Sequence, residues 1–338
     1  MKVGIICRLD GTSNSVRPEE IKKFLGVRGH DVTLLDTHDA SFFTPWFYRG
    51  KRLREISRRK KTSIPELMEM RASALEKRLK RNGFDAVICE TSLDSYVLTK
   101  KLGCLTIYDC PTPFADEMLY SAQLSERELE QLRSMELETY KAVDFLTFYW
   151  ETYVNYVKRN IYDGSNMFVM NYGCHPSNKR VEFSQPPRIA YMGHLGGYWM
   201  NWDLLVHLAS LTRDIDMYGT PDPGDTEGVN YKGYASPEVL ADYQFGLITI
   251  SRDELRCEGF SAKHIEYISH GLPVLIPNWR RHIELIGGSI PYDENDFPEQ
   301  LKRYSNESEW QLKSDEAYEQ ARKLDWNNTL QVLEKIIA

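Results

Sequence analysis

The tightest constraint on this chain is the alternation of short apolar runs with segments of helical period, with no hairpin turn between consecutive runs. "KVGIICR" (Lys2–Arg8), "DVTLLD" (Asp31–Asp36), "FDAVICE" (Phe84–Glu90) and "CLTIYDC" (Cys104–Cys110) are runs of strand length. Between them lie "RPEEIKKFLGVRGH", with Ile21, Phe24 and Leu25 at helical spacing, then "MRASALEKRLKRNG" and "SYVLTKKLG". Such a pattern predicts parallel β-α units joined by right-handed crossovers.

The pattern continues through the helix "ELEQLRSMELETYKAVD", the run "FLTFYW", a helix through "YVNYVKRN", and "MFVMNYG". "CHPSNKRVEFSQPPR" then loses periodicity, carries three prolines and reads as an interdomain linker. The alternation restarts with "IAYMG", the helical "MNWDLLVHLASL", "DIDMYG", "VNYKGY", the helical "SPEVLADY" and "GLITISR", and "NNTLQVLEKIIA" closes the chain as an amphipathic helix. At 338 residues and roughly 150 per domain, this predicts two α/β domains facing across a cleft, divided at 178/179.

Hydrophobic residues at 42% and charged residues at 27% permit two cores, and the net charge of -7 argues against duplex nucleic acid as the main partner. Cys7, Cys89, Cys104, Cys110, Cys174 and Cys257 form no C-x-x-C pair and sit mostly in apolar runs. They read as reduced, buried thiols. The first apolar run is too short for a signal peptide, and no stretch reaches the roughly 18 apolar residues of a spanning helix. A cytoplasmic protein is expected.

"CEGFSAKHIEYISHGLPVLIP" (Cys257–Pro277) carries the most chemistry. Ser261 fits the N-cap of a helix from about Ala262 to His270, Gly271 fits the position just past its end, and Pro273 stops it. "VLIP" follows as a buried strand. This places Glu258 in a loop before the helix and Glu266 just over one turn into it, neither of them in the core. Gly259 lets the backbone approach a ligand, and free N–H groups at a helix start favour phosphate. A carboxylate can accept two hydrogen bonds from a vicinal diol, so the pair suits a nucleotide sugar.

Glu258 to Glu266 is E-x7-E, and "EGFSAKHIEYISHGLPVLI" resembles the donor-site signature of retaining GT-B glycosyltransferases of the family 4 type. "GHDVTLLD", "MNYGCHP", "IAYMGHLGGYWMNWDLL" and "VNYKGYASPEVLADYQFGLI" resemble other parts of the same family. The resemblance implies the GT-B fold: two Rossmann-like α/β/α domains, acceptor-binding over residues 1–178 and nucleotide-sugar-binding over 179–318, with a helix at 319–338 returning to the first. It implies sugar transfer from a nucleotide-sugar donor, a UDP-sugar by expectation, to a glycan, lipid-linked or other hydroxyl acceptor, with retained anomeric configuration.

On this resemblance Glu266 binds the donor ribose, while Glu258 and the amides of Gly259 and Phe260 hold sugar and phosphate, with Ser261 beside them. The family's Arg and Lys diphosphate clamp is missing from "GHLGGYWMNWD", so Arg252, Arg256 and Lys263 become the substitute cations, acting in place of a metal. Gly193 and Gly196 follow a strand and could admit phosphate, and Tyr218 and Gly219 end another strand on the donor side. On the acceptor side stand Gly11, Thr12 and Ser13, in the loop after the first strand, together with Asp109 and Asp116. No metal or other cofactor is expected.

Other signals stay open. Asp214-Ile-Asp216 matches a metal-binding D-x-D by pattern alone. His264 reads as a ligand contact and His270 as a helix-end charge. From Arg49 to Lys61 there are eight basic residues and one acid, Glu55, after the aromatic cluster Phe42, Phe43, Trp46, Phe47 and Tyr48. Residues 42–61 suit an anionic membrane surface, a nucleic-acid backbone, or a solvated loop. Two other functions remain: a glycosyltransferase acting on modified nucleic acid, and a non-catalytic nucleotide-sugar-binding protein.

Overall fold

The structure, a computed structural model, describes residues 1–9, 15–37, 63–121, 124–194, 199–212, 215–226, 228–259, 261–283 and 286–337. The chain divides into two compact units, Met1–Asn171 with Leu330–Ala338, and Tyr172–Thr329. The sequence reading placed the divisions at 178/179 and 318/319.

Unit 1 is built on six parallel strands: β1 (Lys2–Cys7), β2 (Asp31–Asp36), β3 (Ala86–Cys89), β4 (Leu105–Cys110), β5 (Phe145–Phe148) and β6 (Met167–Val169), in the order β2-β1-β3-β4-β5-β6. Its helices are α1 (Val16–Val27), α2 (Ile64–Asn82), α3 (Phe114–Ser121), α4 (Glu126–Ala142) and α5 (Glu151–Asn160). Helices cover both faces of such a sheet, so its central strands are mostly apolar; β3 is apolar and buried at every residue. Two helix starts are set by reciprocal capping, Ser63 with Glu66 and Ser125 with Glu128. The expected helix "SYVLTKKLG" is instead a 3₁₀ turn, Ser95–Thr99.

Unit 2 carries β7 (Ile189–Met192), β8 (Ile215–Tyr218), β9 (Val229–Tyr231), β10 (Phe245–Leu247), β11 (Val274–Pro277) and β12 (Ser289–Tyr292), all parallel, in the order β12-β11-β10-β7-β8-β9. Its helices are α6 (Trp202–Thr212), α7 (Glu254–Glu258), α8 (Ala262–Ser269), α9 (Phe297–Tyr304), α10 (Glu307–Lys323) and α11 (Trp326–Thr329), and α12 (Gln331–Ile337) belongs to unit 1. "SPEVLADY" forms only a 3₁₀ turn, Pro237–Asp242, and "NNTLQVLEKIIA" contributes to two short helices rather than one.

Each sheet reverses its direction of growth once, between β1 and β3 in unit 1 and between β7 and β10 in unit 2. Open parallel sheets bind ligands outside the carboxyl ends of their strands at such switch points. The six cysteines are free, and five of them are buried. No helix among the described residues is long and apolar enough to cross a membrane.

Candidate functional site

At the switch point of unit 2, the Tyr267 hydroxyl accepts a hydrogen bond from the Met192 N–H (2.8 Å) and donates to the Leu247 carbonyl (3.3 Å). One phenol thus ties together the last residues of β7 and β10. Its ring fits because residue 246 is glycine; a Cβ there would stand 2.4 Å from the ring. α8 is thereby fixed with its first turn beside the end of β7.

That placement brings Lys263 against Gly193. A Cβ on Gly193 would lie 2.9 Å from Cδ and Cε of Lys263 and 3.0 Å from Nζ. The ammonium also stands 5.5 Å from the centroid of the Tyr191 ring, and no carboxylate among the described residues pairs with it. Burial lowers its pKa from the ordinary 10.5 to about 8. Gly219 completes the floor: its N–H donates to the Gly233 carbonyl (2.9 Å), and the Gly193 N–H donates to the Tyr218 carbonyl (2.9 Å). At φ +150°, a Cβ on Gly219 would sit 1.8 Å from the Gly193 oxygen, so the two backbones touch because residue 219 is glycine.

The E-x7-E pair is split by environment. Glu258 is not in a loop: it is the last residue of α7, whose N-cap Asp253 accepts from the Arg256 N–H at 3.0 Å. It is also a core residue, 2% exposed. Arg281 Nη1 donates to its Oε1 at 2.5 Å, and the Arg281 N–H donates to the Cys257 carbonyl at 2.9 Å, lacing the loop after β11 to α7. The sequence reading missed Arg281, although "NWRRH" straight after a buried strand was its signal. Glu266 lies in α8 as expected, half-buried. Its carboxylate has no hydrogen bond or ion pair among the described residues, and burial, then Glu238, raises its pKa.

The remaining donor-side candidates divide. Arg256 is buried and paired through Nε to Asp253 (3.0 Å), and exposed Arg252 lies 5.2 Å from the Trp279 ring centroid. Ser261 occupies the N-cap of α8 without a side-chain capping bond, and Gly259 follows α7. The Tyr218 hydroxyl bonds that of Tyr243 at 2.8 Å. Gly196 and Phe260 lie outside the described residues. Tyr234, unremarked in the sequence, is 79% exposed directly after Gly233.

Several expectations are corrected. His264 is fully buried, its pKa pushed down to about 3 by burial and Arg280, and its Nε2 stands 3.4 Å from the Ser289 hydroxyl. It is a core residue rather than a ligand contact. His270 caps α8 but burial lowers its pKa, leaving no helix-end charge. Asp216 is held by Tyr243 (2.7 Å), Arg188 (2.9 Å) and Asn230 (3.2 Å); burial alone would raise its pKa, and these bonds lower it instead. Its carboxylate is committed to the fold, and Asp214 lies outside the described residues. Among the described residues no group of three or more His, Cys, Asp or Glu could hold a metal ion.

In unit 1, Asp109 and Asp116 are buried and bonded. Asp109 takes Nε and Nη2 of Arg17 (2.6 and 3.1 Å) and the Thr147 hydroxyl (2.7 Å). Asp116 takes the Tyr156 hydroxyl (2.8 Å) and Arg133 (3.3 Å). Gly11, Thr12, Ser13 and residues 42–61 lie outside the described residues.

No protein-family model matches the chain, and no curated protein matches it in sequence. Solved structures do. A sucrose-phosphate synthase from Thermosynechococcus elongatus superposes with a TM-score of 0.71 at 12% identity, over 100% of this chain and 98% of the other. Anabaena HepE in complex with UDP-glucose gives 0.69 at 11% identity, over 100% and 99%. The lipopolysaccharide outer core galactosyltransferase WaaB gives 0.64 at 14% identity, over 100% and 99%. Two Rossmann-like units, each with a six-stranded parallel sheet, give this chain the GT-B glycosyltransferase fold.

Proposed function

We propose that the chain is a glycosyltransferase in which unit 2 holds a nucleotide-sugar donor and unit 1 a hydroxyl acceptor. The observation that carries this reading is Lys263, a half-buried ammonium at the switch point of unit 2 with no carboxylate partner among the described residues. A diphosphate meets its unmet need for an anion. Glu266, three residues on and equally unpartnered, accepts from the ribose diol. Glu258, held by Arg281, presents its carboxylate to the sugar hydroxyls beside the amide of Gly259. The exposed ring of Tyr234 offers a stacking face for the base.

In the transfer step the acceptor oxygen bonds to the anomeric carbon as the bond from that carbon to the diphosphate breaks, and the acceptor's hydroxyl proton passes to the departing diphosphate oxygen. The new bond forms on the face the diphosphate leaves, so configuration is retained. Lys263 stabilises the charge that develops on the departing diphosphate, the task a metal ion performs elsewhere, and we assign no divalent metal to the reaction. HepE has been seen with UDP-glucose, which makes UDP-sugars the first donors to try.

Calorimetric titration with UDP and UDP-glucose, with and without chelator, tests the donor site. Proton NMR of slow UDP-glucose hydrolysis tests the mechanism, since retention releases the α-anomer first. Binding without hydrolysis or transfer would make the chain a nucleotide-sugar-binding module. No binding by UDP-, GDP-, ADP- or dTDP-sugars would end the donor reading.

A further inference from the structure

Asp109, Asp116 and Glu90 are three of the carboxyl groups at or beyond the carboxyl ends of the strands of unit 1, and two of these three are spent. Asp109 is saturated by Arg17 and Thr147, and Asp116 by Tyr156 and Arg133. Arg17 is spent as well: it donates to the carbonyls of Met170 (2.8 Å) and Asn171 (2.9 Å) and lies 4.3 Å from the Tyr149 ring centroid. The third group is Glu90. Its N–H donates to the Ile6 carbonyl at 2.9 Å, which fixes it between the ends of β1 and β3, at the switch point. It is 8% exposed, its Oε1 is fully buried without a hydrogen-bond partner, and none among the described residues reaches Oε2. A buried polar atom left unpaired is costly to the fold, and here it stands where open parallel sheets take their ligands.

We propose that Glu90 is the contact group of a hydroxyl-binding site at the switch point of unit 1, taking an alcohol group of a neutral sugar or polyol. On the glycosyltransferase reading, on which its role in transfer rests, that alcohol belongs to the acceptor. Among the described residues the charged and titratable groups set against Glu90 are Cys7 from β1, Cys89 at the end of β3, Arg17 from α1 and Asp109 from β4. Burial first, then Asp109, raises its pKa well above the carboxylate range, with Arg17 opposing. A protonated carboxyl offers one O–H donor and one carbonyl acceptor, which answer both halves of a hydroxyl. Among the described residues an anionic ligand would find no uncommitted cation set against Glu90, because the bonds of Arg17 described above are already made. Glu90 is a positioning residue: it keeps its proton and takes none from the acceptor.

The test uses the full chain with carboxyl-¹³C glutamate, the Glu90 signal being the one lost in Glu90→Gln, and methyl α-D-glucopyranoside as the probe. At neutral pH the Glu90 signal should sit at the protonated position and move as the probe is added. Glu90→Gln, which keeps a donor and an acceptor, should bind the probe within about twofold of the wild type, and Glu90→Leu about tenfold more weakly. A signal unmoved by the probe, an ionised Glu90 that responds only to methylammonium, or unchanged binding by Glu90→Leu would each overturn the proposal. The wild-type titration decides the matter even if Glu90→Leu fails to fold. UDP titrated in parallel separates the two readings: no UDP binding with the Glu90 response intact removes the donor site alone, and the reverse removes this site alone.

Discussion

Replacing Lys263 with methionine should move stability and donor binding in opposite directions. Methionine keeps most of the stem that lies against Gly193 and removes the ammonium. The free protein holds this group at a pKa of about 8, down from 10.5, because burial strips its water without supplying a counter-ion. If a diphosphate restores the ordinary value, the linkage is worth about 3 kcal/mol, or roughly a hundred-fold in Kd. UDP-glucose affinity should therefore hold steady up to about pH 8 and fall close to tenfold per pH unit above it, as the free protein loses the proton that binding requires. The sign for folding is the reverse. Between about pH 8 and 10.5 the unfolded chain binds more protons than the folded one, so stability rises with pH over that window, and below it the folded state carries the cost of a buried cation. Lys263→Met relieves that cost and should raise the melting temperature at neutral pH by a few degrees, about 1–2 kcal/mol. It should also weaken UDP-glucose by ten- to a hundred-fold. Calorimetry and thermal melts across pH read both quantities. A wild-type affinity that is flat from about pH 7 to about pH 10, or a methionine variant that binds as tightly as the parent, refutes the clamp.

The other expectations can be checked on the same preparations. Glu266→Gln should raise the donor KM by roughly ten- to a hundred-fold with kcat little changed, because the ribose lies far from the breaking bond. Glu258→Gln should lower kcat with donor affinity largely kept, and cost about 1–3 kcal/mol of stability by weakening the bond to Arg281; a normal melt would mean that the pair contributes nothing. Asp216→Ala should destabilise by about 2 kcal/mol through the loss of its Tyr243 and Arg188 bonds, while activity per folded molecule survives with or without manganese. Pelleting with anionic liposomes should depend on residues 42–61 and fade with salt, and equal pelleting with neutral liposomes would remove the membrane role.

What was legible in the sequence follows from where each signal resides. Strands buried on both faces are unbroken apolar runs, so "VLIP" could be read residue for residue as β11. Helix α10 passed unread because its buried face is Trp310, Ser314, Ala317 and Ala321, where small residues leave almost no hydrophobic period. The packing demands them: a Cβ on Gly288 would stand 2.4 Å from the Ala317 Cβ. "SYVLTKKLG" has helical composition, yet Lys100 turns extended and its N–H closes back on Val97, ending the element after five residues. Helix α2 starts earlier than its apolar spacing indicated, at the Ser63-x-x-Glu66 box, which the sequence does display. Partnerships were the least visible. Arg281 is 23 positions from Glu258 in sequence, and nothing in "FDAVICE" shows that Arg17, set against Glu90, is already committed.

Lys263 and Glu90 gain their meaning from how thoroughly the fold provides for comparable groups. Asp94, with no exposed surface, receives Arg71 through two bonds (2.7 and 2.8 Å) and the hydroxyls of Thr37 (2.8 Å) and Thr91 (2.7 Å). Glu136, whose pKa burial raises to about 7, accepts the Phe114 N–H (2.5 Å), the Ala115 N–H (3.3 Å) and the Tyr140 hydroxyl (2.9 Å). Such networks are stabilising only when complete, and these are close to complete. A structural role for Lys263 or Glu90 would call for the same provision, and each instead stands at the switch point of its sheet with its needs unmet. The two needs differ in kind. A half-buried ammonium without a counter-ion calls for an anion, whereas a carboxyl pressed toward neutrality beside a saturated ion pair calls for a hydroxyl. A donor diphosphate on one unit and an acceptor alcohol on the other satisfy both, and a ligand set lacking either leaves one of these groups unexplained.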